Sequence, residues 1–304
     1  MAVASAGKMP RRRLGLGVFH LVALALTVVA LWYAHEYTPL LFWPFVSLLS
    51  SSVVLALHSP MALGRRMTFL AHAQVHTVLT AALAAALSAG ALSLGIGSAY
   101  YTALALLFVV LLNLAVLATE RLGFAKDVAT GLVMSFQMTA TIALLYLVRT
   151  LYAATVDPVA LITGEYVLIT PRAVAVQAPF LAAASAFPIF FGLRYLYISL
   201  DEQFAESIGM RSRAYDYAFL MSMSVAVSAS VFALGSLMPA VLLVLPGAIA
   251  ARLSHKLSDQ IPLSVSAAAL SASASHFLYT LVPWLWPSAA LGLVMFTLLL
   301  LRNK

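Results

Sequence analysis

Cysteine is absent from the 304 residues, so neither a disulfide nor a thiolate metal site can exist, and the redox compartment leaves no trace. Charge is scarce too: Asp, Glu, Lys and Arg make up 9% of the chain against 63% hydrophobic residues. With a mean hydropathy of +1.01 and apolar runs along nearly its whole length, the chain cannot be a soluble domain. It reads as an all-α, polytopic transmembrane bundle. No G-x-x-x-x-G-K-[S/T] loop occurs, which leaves no ordinary cradle for nucleotide phosphates. The Gly15-Leu16-Gly17 and Gly95-Ile96-Gly97 triplets lie in membrane segments and do not form a dinucleotide fingerprint.

What is present is a series of ten apolar runs, over residues 14–34, 40–57, 69–89, 99–118, 128–148, 173–197, 215–234, 237–253, 263–282 and 287–301. The first follows Lys8, Arg11, Arg12 and Arg13, but its length of about 20 residues suits a retained span better than a signal core. Ten alternating spans with the N-terminus inside place fifteen of the seventeen Lys and Arg residues on one side, leaving Arg149 and Arg172 opposite. This is the cytoplasmic bias of membrane proteins, and it accounts for the net charge of +7 without nucleic acid. Both termini are then expected in the cytoplasm and the loop from Arg149 to Pro171, with Asp157-Pro158 and Gly164-Glu165, outside. Trp32, Trp43, Trp284 and Trp286 read as an interfacial belt.

Against this background the segment Asp201-Glu202-Gln203-Phe204-Ala205-Glu206-Ser207-Ile208-Gly209 stands out, with three carboxylates in six positions. It must lie in water. Acids at the start and glycine at the end predict a surface helix of about two turns, with Phe204, Ala205 and Ile208 on one side. Spacing alone leaves open whether it docks into a partner's groove or is a solvated helical loop. Further on, Gly235, Pro239, Pro246 and Gly247 interrupt the apolar stretch, as helix breaks do where protein or water lines a span.

His72 and His76 sit one turn apart on one face of a predicted span. Ionisable groups in hydrocarbon are costly and by default suggest function, although a membrane histidine can also simply bond a neighbouring helix. The H-x-x-x-H spacing is that of zinc proteases, but Ala73 occupies the place of the general-base glutamate, which disfavours peptide hydrolysis. Asn113, Gln137 and Met138 could line a path, or the amides could serve helix–helix hydrogen bonds. His276 reads as a helix-contact histidine, and His20, His35, His58 and His255 as interfacial.

The block from Asp201 to Met210, and the later Gly235-Ser236-Leu237-Met238-Pro239-Ala240-Val241-Leu242-Leu243-Val244-Leu245-Pro246-Gly247-Ala248, resemble the membrane permease family of ABC importers for manganese, zinc and iron. Arg65-Arg66-Met67-Thr68-Phe69-Leu70-Ala71-His72-Ala73-Gln74-Val75-His76 is similar to that family's R-R-x-x-F-x-G-D-A-x-x-H, and Lys126-Asp127-Val128-Ala129-Thr130-Gly131 to its E-D-x-A-I-G. The resemblance covers residues 40–304, and residues 1–39 form a basic segment and an extra helix outside it. It implies that Asp201, Glu202, Phe204, Ala205, Glu206 and Gly209 couple to a separate cytoplasmic ATPase. It also implies an extracytoplasmic metal-binding protein, a second permease copy and a prokaryotic cell membrane as the setting. The family's metal site would fall at His72 and His76, and no cofactor would be bound permanently. Here His72 replaces the family's Asp, and two imidazoles suit zinc, copper, iron or nickel better than manganese. A permease for a chelate such as cobalamin or a siderophore is the nearer alternative. A non-transport intramembrane enzyme or lipid-binding scaffold is the farther one.

Overall fold

The computed structural model describes residues 9–93, 99–152, 166–235 and 238–300. Among them every regular element is a helix: α1 (Met9–Glu36), α2 (Pro39–Gly64), α3 (Thr68–Ala91), α4 (Ala99–Arg121), α5 (Lys126–Tyr152), α6 (Pro171–Leu200), α7 (Glu202–Ser207), α8 (Ser212–Leu234), α9 (Met238–Leu242), α10 (Leu245–Leu253), α11 (Leu257–Leu281) and α12 (Pro287–Leu300), with a 3-10 turn at Tyr166–Leu168. The expected outer loop lies mostly outside the described residues, as do Asp157 and Glu165.

Seven of these helices (α1 to α6 and α11) are long and apolar enough to cross a membrane. At 23 residues α8 is of similar length, but it carries Arg213 and Asp216 in its first turns and serines at 222, 224, 228 and 230. The run expected over 237–253 is not one span. It is broken at Leu243-Val244 into α9 and α10, and Pro246 stands in the first turn of α10, where its missing amide costs no helical hydrogen bond.

Helix α2 is the hub, packed against α1, α6, α8, α10 and α11. Helices α3, α4 and α5 form a second group with its own small core of Leu83, Ala86, Tyr101 and Val148, joined to the first through α8 and α9. Prolines inside α2 and α6 would orphan a carbonyl four residues back, which hydrocarbon does not tolerate. Neighbouring serines repair this. The Ser264 hydroxyl donates to the Ala56 carbonyl freed by Pro60 (2.7 Å), and the Ser222 hydroxyl to the Ala184 carbonyl freed by Pro188 (2.6 Å). Gln177 then ties α6 to α2 and α8, its amide donating to Ser51 Oγ and the Ala229 carbonyl at 2.8 Å each.

The break residues settle against the same hub. Gly235 ends α8 with φ +72°, a conformation that favours glycine. Gly247 has no room for a side chain: a Cβ there would lie 2.8 Å from the Ser59 carbonyl, and its amide donates to Ser59 Oγ at 2.8 Å. Pro239 and Pro246 are buried.

A candidate permeation face and its coupling helix

Helix α3 is buried along most of its surface but leaves one stripe open, formed by Phe69, His72, His76 and Leu79. His72 is exposed and His76 half-buried, with ring centroids 6.4 Å apart. Among the described residues neither imidazole has a hydrogen-bond partner, and no group of three or more His, Asp or Glu converges anywhere. At this stripe the described residues of one chain therefore offer two nitrogen ligands. Helix α5 runs beside α3 in the same direction, with Phe69 against Gly131, Gln137 donating to Thr77 Oγ1 (3.0 Å) and Thr80 bonded to Thr141 (2.7 Å). At the depth of the histidines Met138 is exposed on α5, whereas Gln137 is buried. Asn113 is buried as well, paired with Gln74 (2.7 Å) and donating to Ser224 Oγ (2.6 Å), so both amides join helices and line nothing.

The other histidines differ in kind. His58 is fully buried, one and a half turns inside a helix that runs on to Gly64, and is not interfacial as its neighbouring Pro60 suggests. Its Nδ1 donates to the Val54 carbonyl (2.8 Å), and Nε2 lies 2.8 Å from Ser222 Oγ. His276 stacks on Phe45 at 4.5 Å and meets the Tyr166 hydroxyl at 3.3 Å, with Nε2 buried and unpartnered. His20 bonds Ser266 Oγ (2.7 Å) and His255 is exposed in a loop. Among the tryptophans Trp286 is packed inward against Tyr279, apart from the expected belt.

The acidic segment forms the short helix its sequence predicts. Asp201 caps it, accepting from the Phe204 amide at 2.9 Å. Gly209 closes it at φ +87°, with the Met210 amide reaching back to the Ala205 carbonyl and the Gly209 amide to that of Glu206, both at 3.0 Å. This closure turns Ala205 inward, 4% exposed, away from the side shared in the sequence reading with Phe204 and Ile208, which stand 62% and 61% exposed. The acids face the body: the Ser212 hydroxyl, at the start of α8, donates to Glu206, and Glu202 meets Arg65.

Sequence reasoning did not find the role of Arg65, the residue that ends α2. Its Nε and Nη2 donate to the two carboxylate oxygens of Asp216 on α8 (3.0 and 2.7 Å), and Nη1 and Nη2 to those of Glu202 on α7 (3.1 Å each). Tyr195 of α6 donates to the same Asp216 at 2.5 Å, and the guanidinium sits 5.8 Å from its ring centroid. Partial burial opposes the charge, but the two carboxylates outweigh it and hold the Arg65 guanidinium protonated beyond its ordinary range. The available signal was Asp216 itself, a carboxylate at the start of a span that has to find a cation.

A helical bundle with prolines repaired by neighbouring helices, a polar stripe on one span and a capped surface helix at its basic end is the architecture of a membrane permease. The sequence pattern of the ABC 3 transport family matches residues 37–302, and the chain belongs to that family. Helix α1 lies before the matched region. Among solved structures it is similar to PsaBC from Streptococcus pneumoniae in complex with Fab, at 17% identity and TM-score 0.73, covering 90% of this chain and 94% of that one. It is also similar to a transporter of the proposed metal-chelate ABC type in an inward-facing conformation, at 14% identity and TM-score 0.66, covering 97% and 99%. No curated protein matches. Family membership makes the chain the membrane-spanning permease of an ABC transporter, and the non-transport readings fall away.

Proposed function

We propose that this permease passes divalent transition-metal ions inward across the plasma membrane, zinc foremost with manganese and iron as alternatives, driven by a separate cytoplasmic ATPase. The observation that carries the reading is the pair His72 and His76, two imidazoles without partners on the one open stripe of an otherwise buried span. A second copy related by a twofold axis would bring two more imidazoles to the same place, completing the four-nitrogen set that zinc accepts. In that arrangement the termini and α7 face the cytoplasm, where Phe204 and Ile208 offer the ATPase an exposed apolar edge. An extracytoplasmic binding protein would deliver the ion at the other end, and the breaks at Gly235, Pro239, Pro246 and Gly247 give the packing against α2 a place to hinge.

The likeness to a metal-chelate type transporter over nearly the full length of both chains favours a second reading, in which the cargo is a liganded metal and the path is wide. Uptake of radioactive zinc into vesicles holding the permease with its ATPase separates the two. His72→Ala and His76→Ala should each lower uptake about a hundredfold, at least the upper end of the roughly 10–100-fold that loss of a ligand's outer-shell partner costs. Undiminished uptake in both variants would reject the imidazole site and leave the chelate reading.

A further inference from the structure

We propose that Arg65 is the positioning residue that makes the surface helix α7 and the histidine-bearing helix α3 move as one body, an inference resting on the reading of α7 as the ATPase contact. The guanidinium spends its donors on two forks, one to Glu202 on α7 and one to Asp216 on α8. Only arginine has the planar set of donors for both at once; lysine, with a point charge, does not. Arg65 is also joined rigidly to α3. The turn that follows it is closed by the Arg66 amide to the Leu63 carbonyl (3.1 Å) and the Met67 amide to that of Ala62 (2.8 Å). It holds Arg66 at φ +56°, where a non-glycine residue is strained. Thr68 then begins α3, and His72 lies one turn further on.

A second tie links the same two helices deep in the bundle, where Ser224 of α8 and Gln74 of α3 share Asn113 of α4. Two separated attachments between α8 and α3, one of them also gripping α7, leave little freedom for the surface helix to shift alone. A displacement at α7 therefore reaches the stripe that carries His72 and His76. Severing the Arg65 fork lets α7 move while the histidines stay.

The absence of cysteine makes the test clean, because Thr68→Cys with Ser207→Cys gives one pair of spin labels per protomer, on α3 and α7, and mixing labelled with excess unlabelled permease isolates the distance within one protomer. Electron–electron distance measurements on the full permease should show one narrow distribution, kept when the ATPase binds nucleotide. Arg65→Ala should broaden it with or without the ATPase, and should lower zinc ions imported per ATP hydrolysed about tenfold, within the range of coupling mutations. Arg65→Lys should behave nearly as Arg65→Ala. If Arg65→Ala fails to fold, Glu202→Gln gives the same readouts, since its side chain is 47% exposed and its loss leaves the Asp216 fork intact. An unchanged distance distribution and unchanged ions per ATP in these variants would overturn the proposal. A wild type that imports no zinc would fail the functional reading alone, and the distance measurement would still judge Arg65.

Discussion

Two pairs of histidines in the membrane part of this permease are treated in opposite ways. His58 and His276 are buried in the hub, one with partners at both ring nitrogens and the other stacked on Phe45 with a tyrosine hydroxyl beside it. His72 and His76 face out of α3, and among the described residues neither ring nitrogen has a hydrogen-bond partner. An imidazole without a partner in hydrocarbon is costly, so a chain that supplies partners for one pair and not for the other is leaving the second pair for something outside itself. Burial alone does not identify function here. What separates the pairs is whether the chain supplies a hydrogen-bond partner to the ring at all.

The comparison can be broken first at its functional end, by the loss of uptake in the His72 and His76 variants, which should melt at the wild-type temperature because no intramolecular bond is lost. It is sharpened at the structural end by His58→Ala. That change empties a filled volume and removes the imidazole's bond to the Val54 carbonyl and its contact with Ser222, a loss of about 3 kcal/mol measured by unfolding in detergent. Its zinc-stimulated ATP hydrolysis should persist wherever the complex remains folded. The smallest effect belongs to His276→Phe, which keeps the stack on Phe45 and removes an unpartnered nitrogen, but costs the buried Tyr166 hydroxyl its bond to Nδ1. Stability should fall by about 1 kcal/mol, and a loss as large as that of His58→Ala would contradict this ranking.

Much of this was legible in the sequence because it rests on local rules. Carboxylates with a glycine eight residues on predict α7, and His72 and His76 share a face because of helical spacing. The apolar runs map onto the long helices, for the simple reason that only a helix satisfies its backbone within hydrocarbon. What escaped were contacts between residues far apart in the chain. Arg65 meets Glu202 and Asp216 across 137 and 151 positions, and no spacing rule spans that distance. The burial of His58 follows from α2 running past Pro60 once Ser264 has taken the freed carbonyl. The break at Leu243-Val244 was half visible, since Pro246 and Gly247 were there to be read. That Gly247 seats against the Ser59 carbonyl was not.

The central claim is that an ion rests between imidazoles of α3, and the most direct measurement is X-ray absorption at the zinc edge on the purified permease with ATPase. The account predicts a shell of nitrogen ligands at about 2.0 Å with the multiple-scattering signature of imidazole, absent from the His72→Ala/His76→Ala double variant. A shell of oxygen ligands only, or an imidazole signature that survives in that variant, would contradict it.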